Sequence, residues 1–198
     1  MARGKLIVLE GIDGSGTTTQ SGRLTRSLEA RGLKTHATCE PSKGSIGREL
    51  REVLRSTLRL DPTAVALLFA ADRIDHLRRE IEPALAAGVH VISDRYVMSS
   101  LAYQSMEVDR EFVASINARA PAADLTLLLD VPVEVAEARR KARGGPEELF
   151  DATEFQMRVR QAYLEEAKRA GVAILDGTGT QNSVFAAILE RVDEVIAP

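Results

Sequence analysis

A short glycine-rich segment near the start of the chain limits the possible folds more than any other feature. Residues 11–18 read GIDGSGTT, which keeps the glycine spacing and the final hydroxyl residue of the phosphate-binding pattern G-x-x-x-x-G-K-[ST]. The segment follows the apolar, strand-like residues 5–10 and precedes helical spacing over residues 17–30. This order of strand, loop and helix is the context that the pattern requires, and it indicates an α/β fold in which the loop binds phosphate.

Apolar strand-like runs and helical stretches alternate along the rest of the chain. We predict five strands, over residues 5–10, 35–39, 89–93, 125–130 and 172–175. We predict helices over residues 17–30, 46–58, 62–88, 133–142, 154–170 and 184–196. This alternation predicts a P-loop NTPase-like three-layer α/β fold, in which a five-stranded parallel sheet carries helices on both faces, in a single domain over residues 1–198.

Composition is that of an ordinary folded protein and argues against several classes of partner. Of 198 residues, 44% are apolar and 28% are charged, and the formal net charge is −3. This balance gives no reason to expect binding to nucleic acid or to a membrane surface, and no apolar run is long enough to span a bilayer. A single cysteine, Cys39, excludes an intrachain disulfide. Because we find no signal segment at the N-terminus, we expect a cytoplasmic protein.

The phosphate-binding pattern assigns chemical roles within residues 11–18. Glycines let backbone N–H groups turn inward around an anion, and the following helix adds its positive N-terminal end. Thr18 stands where a hydroxyl ligates Mg²⁺, whereas Thr17 replaces the lysine that normally reaches the transferred phosphate. The residues expected to contact ATP are Gly11, Ile12, Asp13, Gly14, Ser15, Gly16, Thr17 and Thr18. Two alternatives stay open, namely a turn that only joins strand to helix and a loop that binds nucleotide without catalysis.

Polar residues after the third predicted strand extend this chemistry. Asp94 lies at the carboxyl edge of the sheet, where ligands bind in α/β folds, and is a candidate to hold Mg²⁺ with Thr18. Arg95 is a candidate to bind a phosphate through two hydrogen bonds, although an Asp-Arg pair at a strand end is often only a surface ion pair. Ser100 and Gln104 are four residues apart, so a helix turns both toward a nucleobase edge or toward water.

Two further sets of residues fit a nucleotide site. Phe69 and Arg73 share one face of the long helix and offer an aromatic plane and a guanidinium to a base, unless Phe69 fills the core. Glu40, after the second strand, can bind a sugar hydroxyl or be an ordinary loop acid. We interpret residues 139–152 as a lid that closes over phosphates, although a helix dipole alone favours cations there. The lid arginines are Arg139, Arg140 and Arg143.

Taken together, these motifs resemble those of the thymidylate kinases, which are P-loop nucleoside monophosphate kinases. The matching segments follow the family's order over nearly the whole chain. They are EGIDGSGTTTQ at residues 10–20, EP at 40–41, LLFAADR at 67–73, DRYVMSSLAYQ at 94–104 and LLLDVPVEVAEARRKARG at 127–144. The resemblance implies transfer of the γ-phosphoryl group of ATP to dTMP with Mg²⁺, which gives dTDP and ADP in dTTP biosynthesis.

The resemblance also implies roles for individual residues. Those implied to contact dTMP are Asp13, Glu40, Arg51, Phe69, Arg73, Arg95, Ser100, Tyr103 and Gln104. Phe69 would stack on thymine, Tyr103 would crowd a 2′-hydroxyl, and Arg95 would bind the acceptor phosphate. The residues implied in catalysis are Asp13, Arg95, Arg139, Arg140 and Arg143. The family usually forms homodimers, and the apolar residues 64–68 are a candidate contact face.

Several positions depart from the family pattern and leave more than one hypothesis open. Thr17 replaces the usual lysine, Cys39 stands where many members have arginine, and Leu149 stands where the lid often has arginine. One hypothesis is an active thymidylate kinase in which a lid arginine has taken over the task of the lysine. The others are a nucleotide-binding regulator with weak or lost catalysis and a kinase for another deoxynucleoside monophosphate.

Overall fold

The computed structural model describes residues 2–144, 149–150 and 152–196. The strands are β1 Leu6–Glu10, β2 Thr35–Cys39, β3 His90–Asp94, β4 Leu125–Asp130 and β5 Ala173–Asp176. The α-helices are α1 Thr17–Ala30, α2 Ser45–Leu54, α3 Pro62–His76, α4 Glu82–Ala86, α5 Val97–Tyr103, α6 Arg110–Asn117, α7 Val133–Arg143, α8 Thr153–Ala170 and α9 Gln181–Ile196.

The strands form one five-stranded parallel sheet in the order β2-β3-β1-β4-β5, which confirms the predicted α/β class. β1 lies at the centre, where Leu9 pairs with Asp94 of β3 and with Leu127 of β4. The carboxyl ends of β1 and β3 therefore lie side by side. The glycine-rich loop follows β1 at this edge and leads into α1. This edge is where ligands bind in sheets of this kind.

Alternation of side chains along β1 produces a core on both faces of the sheet. Ile7 and Leu9 pack with α1 and α9 on one face. Leu6 and Val8 pack on the other face with α4 and with the turn that precedes it. Helices α5, α7 and α8 cover the rest of that face around the buried Tyr163. Both faces are thus closed to solvent, as the three-layer prediction requires, and the carboxyl edge is left for the site.

Helix α2 is shorter than expected, because it ends at Leu54 rather than at residue 58. Ser56 has a φ of +59°, in the left-handed region, and a residue in that conformation cannot continue a right-handed helix. The hydroxyl of Thr57 donates to the carbonyl of Glu52 at 2.8 Å and so satisfies a helix-end acceptor.

The predicted helix over residues 62–88 is helical along its length but not uniform. A π-helical turn, Leu77–Ile81, separates α3 from α4. Pro83 lies in the first turn of α4, and its ring leaves no room for an ordinary hydrogen bond to the carbonyl four residues earlier, so the preceding turn is wider. The short helices α5 and α6 are additional elements, and α6 is capped by Asp109, whose carboxylate accepts from the Phe112 amide at 2.8 Å.

The predicted lid, residues 139–152, lies partly outside the described residues, which omit 145–148 and 151. Helix α7 continues to Arg143 and stops at Gly144, where φ is +72°. The Leu149 amide donates to the Leu54 carbonyl at 2.8 Å, so this end of the lid contacts the end of α2. Motion of the lid and the single-domain assignment stay predictions. No helix in the described ranges is both long enough and apolar enough to cross a membrane.

Candidate active site

Two adjoining cavities open at the carboxyl edge of the sheet. The loop cavity, with a volume of about 450 Å³, is lined by residues 13–20, by α7 and by the turn after β5. The aromatic cavity, with a volume of about 320 Å³, lies between the end of β2 and helices α2, α3 and α5, and its lining includes Phe69 and Tyr103. Asp13 and Arg95 line both cavities and therefore stand at their junction.

Glycine is required in the loop for backbone conformation and for close packing. Gly14 has a φ of +91°, and a Cβ atom there would lie 2.3 Å from the Ala136 carbonyl oxygen of α7. Gly16 has a φ of +103° and immediately precedes α1, whose first residue is Thr17. Thr17 lines the loop cavity although it is only 6% exposed, so a short hydroxyl side chain occupies the position of the missing lysine.

Gly11 and Ile12 are the predicted ATP contacts that fall outside the lining of the loop cavity. Ile12 is 2% exposed and belongs to the core with α5, α7 and α8. A Cβ atom on Gly11 would lie 2.8 Å from the Leu129 carbonyl oxygen and 2.5 Å from the Ser15 hydroxyl. These residues therefore shape the loop from beneath, whereas residues 13–18 face the cavity.

Thr18 lines the loop cavity and contacts Asp94, which lies outside that lining at the end of β3. The Thr18 hydroxyl donates to Asp94 Oδ2 at 2.5 Å, and Asp94 Oδ1 is buried without a hydrogen-bond partner among the described residues. A hydroxyl and a carboxylate with one unpartnered oxygen beside a phosphate loop fit Mg²⁺, which takes few protein ligands and keeps waters and phosphate oxygens. The described ranges contain no cluster of three or more His, Cys, Asp or Glu suited to a metal, and a nucleotide-bound Mg²⁺ needs none.

Arg95 is held at the junction by an unusual backbone conformation and by several polar partners. Its φ is +74°, and its amide and carbonyl are fixed by Leu9 O at 2.9 Å and by the Ser93 hydroxyl at 2.7 Å. Arg95 Nη2 donates to Asp13 Oδ1 at 2.6 Å, and the guanidinium lies 5.3 Å from the centre of the Tyr103 ring. Burial opposes the charge, but Tyr103 and nearby carboxylates raise the pKa of Arg95, so the group stays protonated.

Eight of the nine residues implied to contact dTMP line the wall of the aromatic cavity, and Ser100 lies outside its lining. Phe69 of α3 is half-buried and Gln104, after α5, is buried. The Tyr103 hydroxyl donates to Asp13 Oδ2 at 3.4 Å, which links this wall to the loop. Arg51 of α2 donates to the carbonyls of Pro41 at 2.5 Å and Ser42 at 2.6 Å, so it braces the turn after β2 at the cavity edge.

Arg73 and Ser100 are more deeply buried than a base-reading pair would need to be. Arg73 is 1% exposed, and its Nε donates to Glu40 Oε2 at 2.7 Å within a buried ion pair. Its terminal nitrogens donate to Ser100 Oγ at 3.1 Å, to the Tyr96 carbonyl at 3.0 Å and to Asn117 Oδ1. A direct contact from Arg73 to a base therefore requires that one of these bonds be exchanged.

A chain of polar side chains behind Glu40 escaped the sequence analysis. His76 Nδ1 lies 3.3 Å from Glu40 Oε1, and His76 Nε2 lies 2.8 Å from the Thr38 hydroxyl, which donates to Glu80 Oε1 at 2.8 Å. Burial alone would lower the pKa of His76, but the hydrogen bond with Glu40 and the charges of Glu40, Glu80 and Asp72 raise it above its usual value. The spacing of Asp72, His76 and Glu80, four residues apart along α3 and the π turn, was the available signal.

The arginines at the end of α7 reach the glycine-rich loop. Arg139 lines the loop cavity and donates to the carbonyls of Gly177 at 2.9 Å and Ser15 at 3.4 Å. Arg143 is exposed and lines the same cavity. Arg140 Nη1 donates to the Asp13 carbonyl at 2.7 Å, from a position outside the lining of the cavity. The structure thus brings two of the three predicted lid arginines to the cavity and uses the third to hold the loop backbone.

Comparison with known proteins agrees with this geometry. A family model described as thymidylate kinase matches residues 9–188. A probable thymidylate kinase of Pyrobaculum aerophilum is 43% identical over 191 residues, which cover 96% of this chain and 97% of the relative. A probable thymidylate kinase of Pyrococcus abyssi is 45% identical over 172 residues, which cover 84% of each chain.

The solved structure of the thymidylate kinase from Candida albicans superposes with a TM-score of 0.85 at 28% identity, and the match covers 98% of this chain and 93% of that one. Similarity of this extent agrees with the observed fold and with the order of the motifs. The chain belongs to the thymidylate kinase family.

Proposed function

We propose that this protein transfers the γ-phosphoryl group of ATP to dTMP within one site that spans both cavities. The observation that carries the proposal is that Asp13 and Arg95 line the loop cavity and the aromatic cavity together. A donor phosphate held by the loop and an acceptor phosphate beside Arg95 would meet at this junction. Positioning and charge neutralisation supply most of the catalysis in such reactions, because the acceptor phosphate is already anionic.

Within the loop cavity, residues 13–18 and the N-terminal end of α1 would bind the phosphates of ATP. Thr18 and Asp94 would hold Mg²⁺. When bound, the ion neutralises charge on the β- and γ-phosphates. Arg139 and Arg143 would add positive charge from α7, which matters here because Thr17 contributes none.

Within the aromatic cavity, Phe69 would stack on thymine and Gln104 would meet its polar edge, while Tyr103 would lie against the sugar. Arg73 would act mainly by holding Glu40 in the cavity wall, and it also bonds Ser100, which lies outside that lining. Asp13 would orient Arg95 toward the acceptor phosphate. Further parts of the proposal are a homodimer and a cytoplasmic location. The findings give the regulator and the other-nucleotide hypotheses no support of their own.

An assay that couples ADP release to dTMP addition tests this proposal. We expect Mg²⁺-dependent ADP formation with dTMP, and a lower kcat/KM with dUMP, dCMP and dGMP at the same ATP concentration. Binding of ATP and dTMP without ADP release would support the regulator hypothesis instead. A higher kcat/KM with another monophosphate would assign a different acceptor.

A further inference from the structure

The Glu10 carboxylate is the most deeply buried acid in the site region, and the proposed function does not use it. It lies at the end of β1, immediately before the glycine-rich loop, and is 0% exposed. Both of its oxygens accept hydrogen bonds, from the amide of Tyr96 at 2.8 Å and the amide of Ser99 at 3.3 Å, from the Ser99 hydroxyl at 2.6 Å and from the Tyr163 hydroxyl at 3.1 Å. Burial raises the pKa of Glu10, whereas the hydrogen bond from Ser99, the charge of Arg95 and the bonds from Tyr96 and Tyr163 oppose that rise. Four donors thus converge on one buried carboxyl group, which is their common acceptor.

The same two hydroxyls also contact Arg95. Arg95 Nη1 donates to the Tyr163 hydroxyl at 3.0 Å and to Ser99 Oγ at 3.3 Å. Each hydroxyl has one proton and two lone pairs, so a proton given to Glu10 leaves lone pairs directed at the guanidinium. The two hydroxyls also lie 2.7 Å from each other, and together they link the buried Glu10 carboxyl group to the buried Arg95 guanidinium.

This arrangement fixes one edge of the Arg95 guanidinium and leaves another edge available. Nη1 is held by Ser99 and Tyr163, and one hydrogen of Nη2 is held by Asp13 at 2.6 Å. The Nε hydrogen and the second Nη2 hydrogen have no hydrogen-bond partner among the residues that the structure describes. These two donors form the fork that binds two oxygens of a phosphate.

We propose that Ser99 and Tyr163, oriented by Glu10, are positioning residues that hold Arg95 so that its free fork meets the acceptor phosphate of dTMP. This inference rests on the proposed function. Donors that are fixed before the substrate arrives lose little conformational freedom on binding, so a rigid Arg95 binds the phosphate more tightly than a mobile one. The positive φ of Arg95 serves the same end, because it directs the side chain from the edge of the sheet into the junction.

The test compares a ligand that has the phosphate with one that lacks it. Tyr163→Phe and Ser99→Ala each remove one hydroxyl, and we expect the double variant to bind dTMP about 10- to 100-fold more weakly, as for the loss of hydrogen bonds to a charged group. Affinity for thymidine and for ATP should stay within about twofold, since neither ligand uses the Arg95 fork on the acceptor side. Ser115→Ala is the matched control, because the Ser115 hydroxyl donates only to the Phe112 carbonyl on the exposed face of α6.

The same substitutions in an Arg95→Met background separate positioning from general damage to the fold. If Ser99 and Tyr163 act through Arg95, their loss should change dTMP affinity little once the guanidinium is absent. Equal weakening of dTMP and thymidine, or an undiminished effect in the Arg95→Met background, would overturn the inference. Turnover of dTMP by the wild-type protein is measured separately, so absence of turnover with an intact preference for dTMP over thymidine would contradict only the proposed function.

Discussion

Arg73 is buried, and its donors are all bonded to groups of the protein itself. Its position in the LLFAADR segment fits a base-reading residue, yet in the structure it neutralises the buried Glu40 carboxylate. Phe69, one turn earlier on α3, is half-buried and lies at the cavity surface. Two residues that look equivalent in the sequence should therefore respond differently to substitution.

We expect Phe69→Ala to weaken dTMP binding by about 1–3 kcal/mol, the usual contribution of stacking between a base and an aromatic ring, with little change in the thermal midpoint. Arg73→Ala should instead lower the free energy of unfolding by about 3–5 kcal/mol, because it leaves Glu40 buried without its main cation. Isothermal titration with dTMP and thermal unfolding of both variants measure the two effects. A stable Arg73→Ala variant with normal unfolding would show that His76 alone neutralises Glu40.

We expect Asp94 to affect the Mg²⁺ requirement of the protein. Asp94→Asn removes the carboxylate that contacts Thr18, so the Mg²⁺ concentration for half-maximal activity should rise by more than about tenfold, a change that even outer partners of metal sites can cause. Asp130→Asn is the control, because Asp130 also ends a strand at this edge but pairs with Arg160 of α8. An unchanged Mg²⁺ requirement in Asp94→Asn would remove this residue from the proposed metal site.

Among the secondary structure elements, α1 and α7 carry the residues that we propose to neutralise phosphate charge. The first residue of α1 has lost the lysine, and the last turn of α7 places Arg139 over the loop. We expect Arg139→Ala to lower kcat by about 10²–10³-fold, the effect of removing a donor aimed at developing charge. Thr17→Lys should change kcat only modestly alone and should partly restore the activity of Arg139→Ala.

A double-mutant cycle measures this exchange between α1 and α7. Arg143→Ala serves as the comparison, because Arg143 lines the same cavity from an exposed position. Strictly additive effects of Thr17→Lys and Arg139→Ala on kcat would show that the arginine has not replaced the lysine. A large gain from Thr17→Lys alone would indicate an impaired catalyst.

The wall formed by the end of β2, by α3 and by the π turn should respond to pH through His76. The pKa of His76 is higher in the folded chain than its usual value of 6.5. His76 therefore contributes fully to stability at a pH below 6.5, and this contribution is lost as the pH rises through the folded-state pKa. We expect the wild-type thermal midpoint to fall across this range relative to that of His76→Gln.

His90 provides a control of opposite sign for the prediction on His76. Burial and Lys5 lower the pKa of His90, so its contribution is present above 6.5 and is lost as the pH falls through the depressed folded value. Thermal unfolding of His76→Gln and His90→Gln at a series of pH values measures both slopes. Slopes equal to those of the wild type in His76→Gln would exclude His76 as the titrating group.

At the scale of the whole molecule, the outer face of α3 bears on the proposed homodimer. The candidate contact residues 64–68 differ in exposure in the folded chain. Val65 and Ala66 are buried, whereas Leu67 is 47% exposed. Ile74, two turns later on the same face, is also exposed. The apolar surface available to a second copy is therefore narrower than the sequence segment and extends further along the helix.

We expect light scattering to show a homodimer and Leu67→Glu to convert it to a monomer, because a buried unpaired carboxylate opposes association. Met157→Glu is the matched control on α8, where Met157 is exposed to a similar extent, at 48%. Dimers of equal stability in both variants would move the interface away from α3, and a monomeric wild-type protein would contradict the homodimer itself.

Local features of the sequence predicted most of the elements, although they missed the end of α2, the π turn and helices α5 and α6. Strand β4 and helix α1 have the predicted bounds, because the alternation of apolar residues and the position of glycine act within a few neighbouring residues. The positive φ angles of Gly14 and Gly16 also belong to the local backbone of the loop, which the glycine spacing predicts. The α/β class and the phosphate loop were therefore predictable from residue order alone.

The hydrogen bonds between distant polar side chains depend on the tertiary structure. Arg73 lies 44 residues from Asn117 and Glu10 lies 153 residues from Tyr163, yet these pairs are bonded in the folded chain. Strand order and helix packing bring them together, and the cost of leaving a buried donor or charge unpaired then selects the partners. Residue order thus predicts most of the elements and the polar residues at the carboxyl edge of the sheet. The tertiary structure sets how many donors of each guanidinium bond to other groups of the protein, because burial and pairing depend on residues that are distant in the sequence. Arg73 and Arg95 differ in this respect.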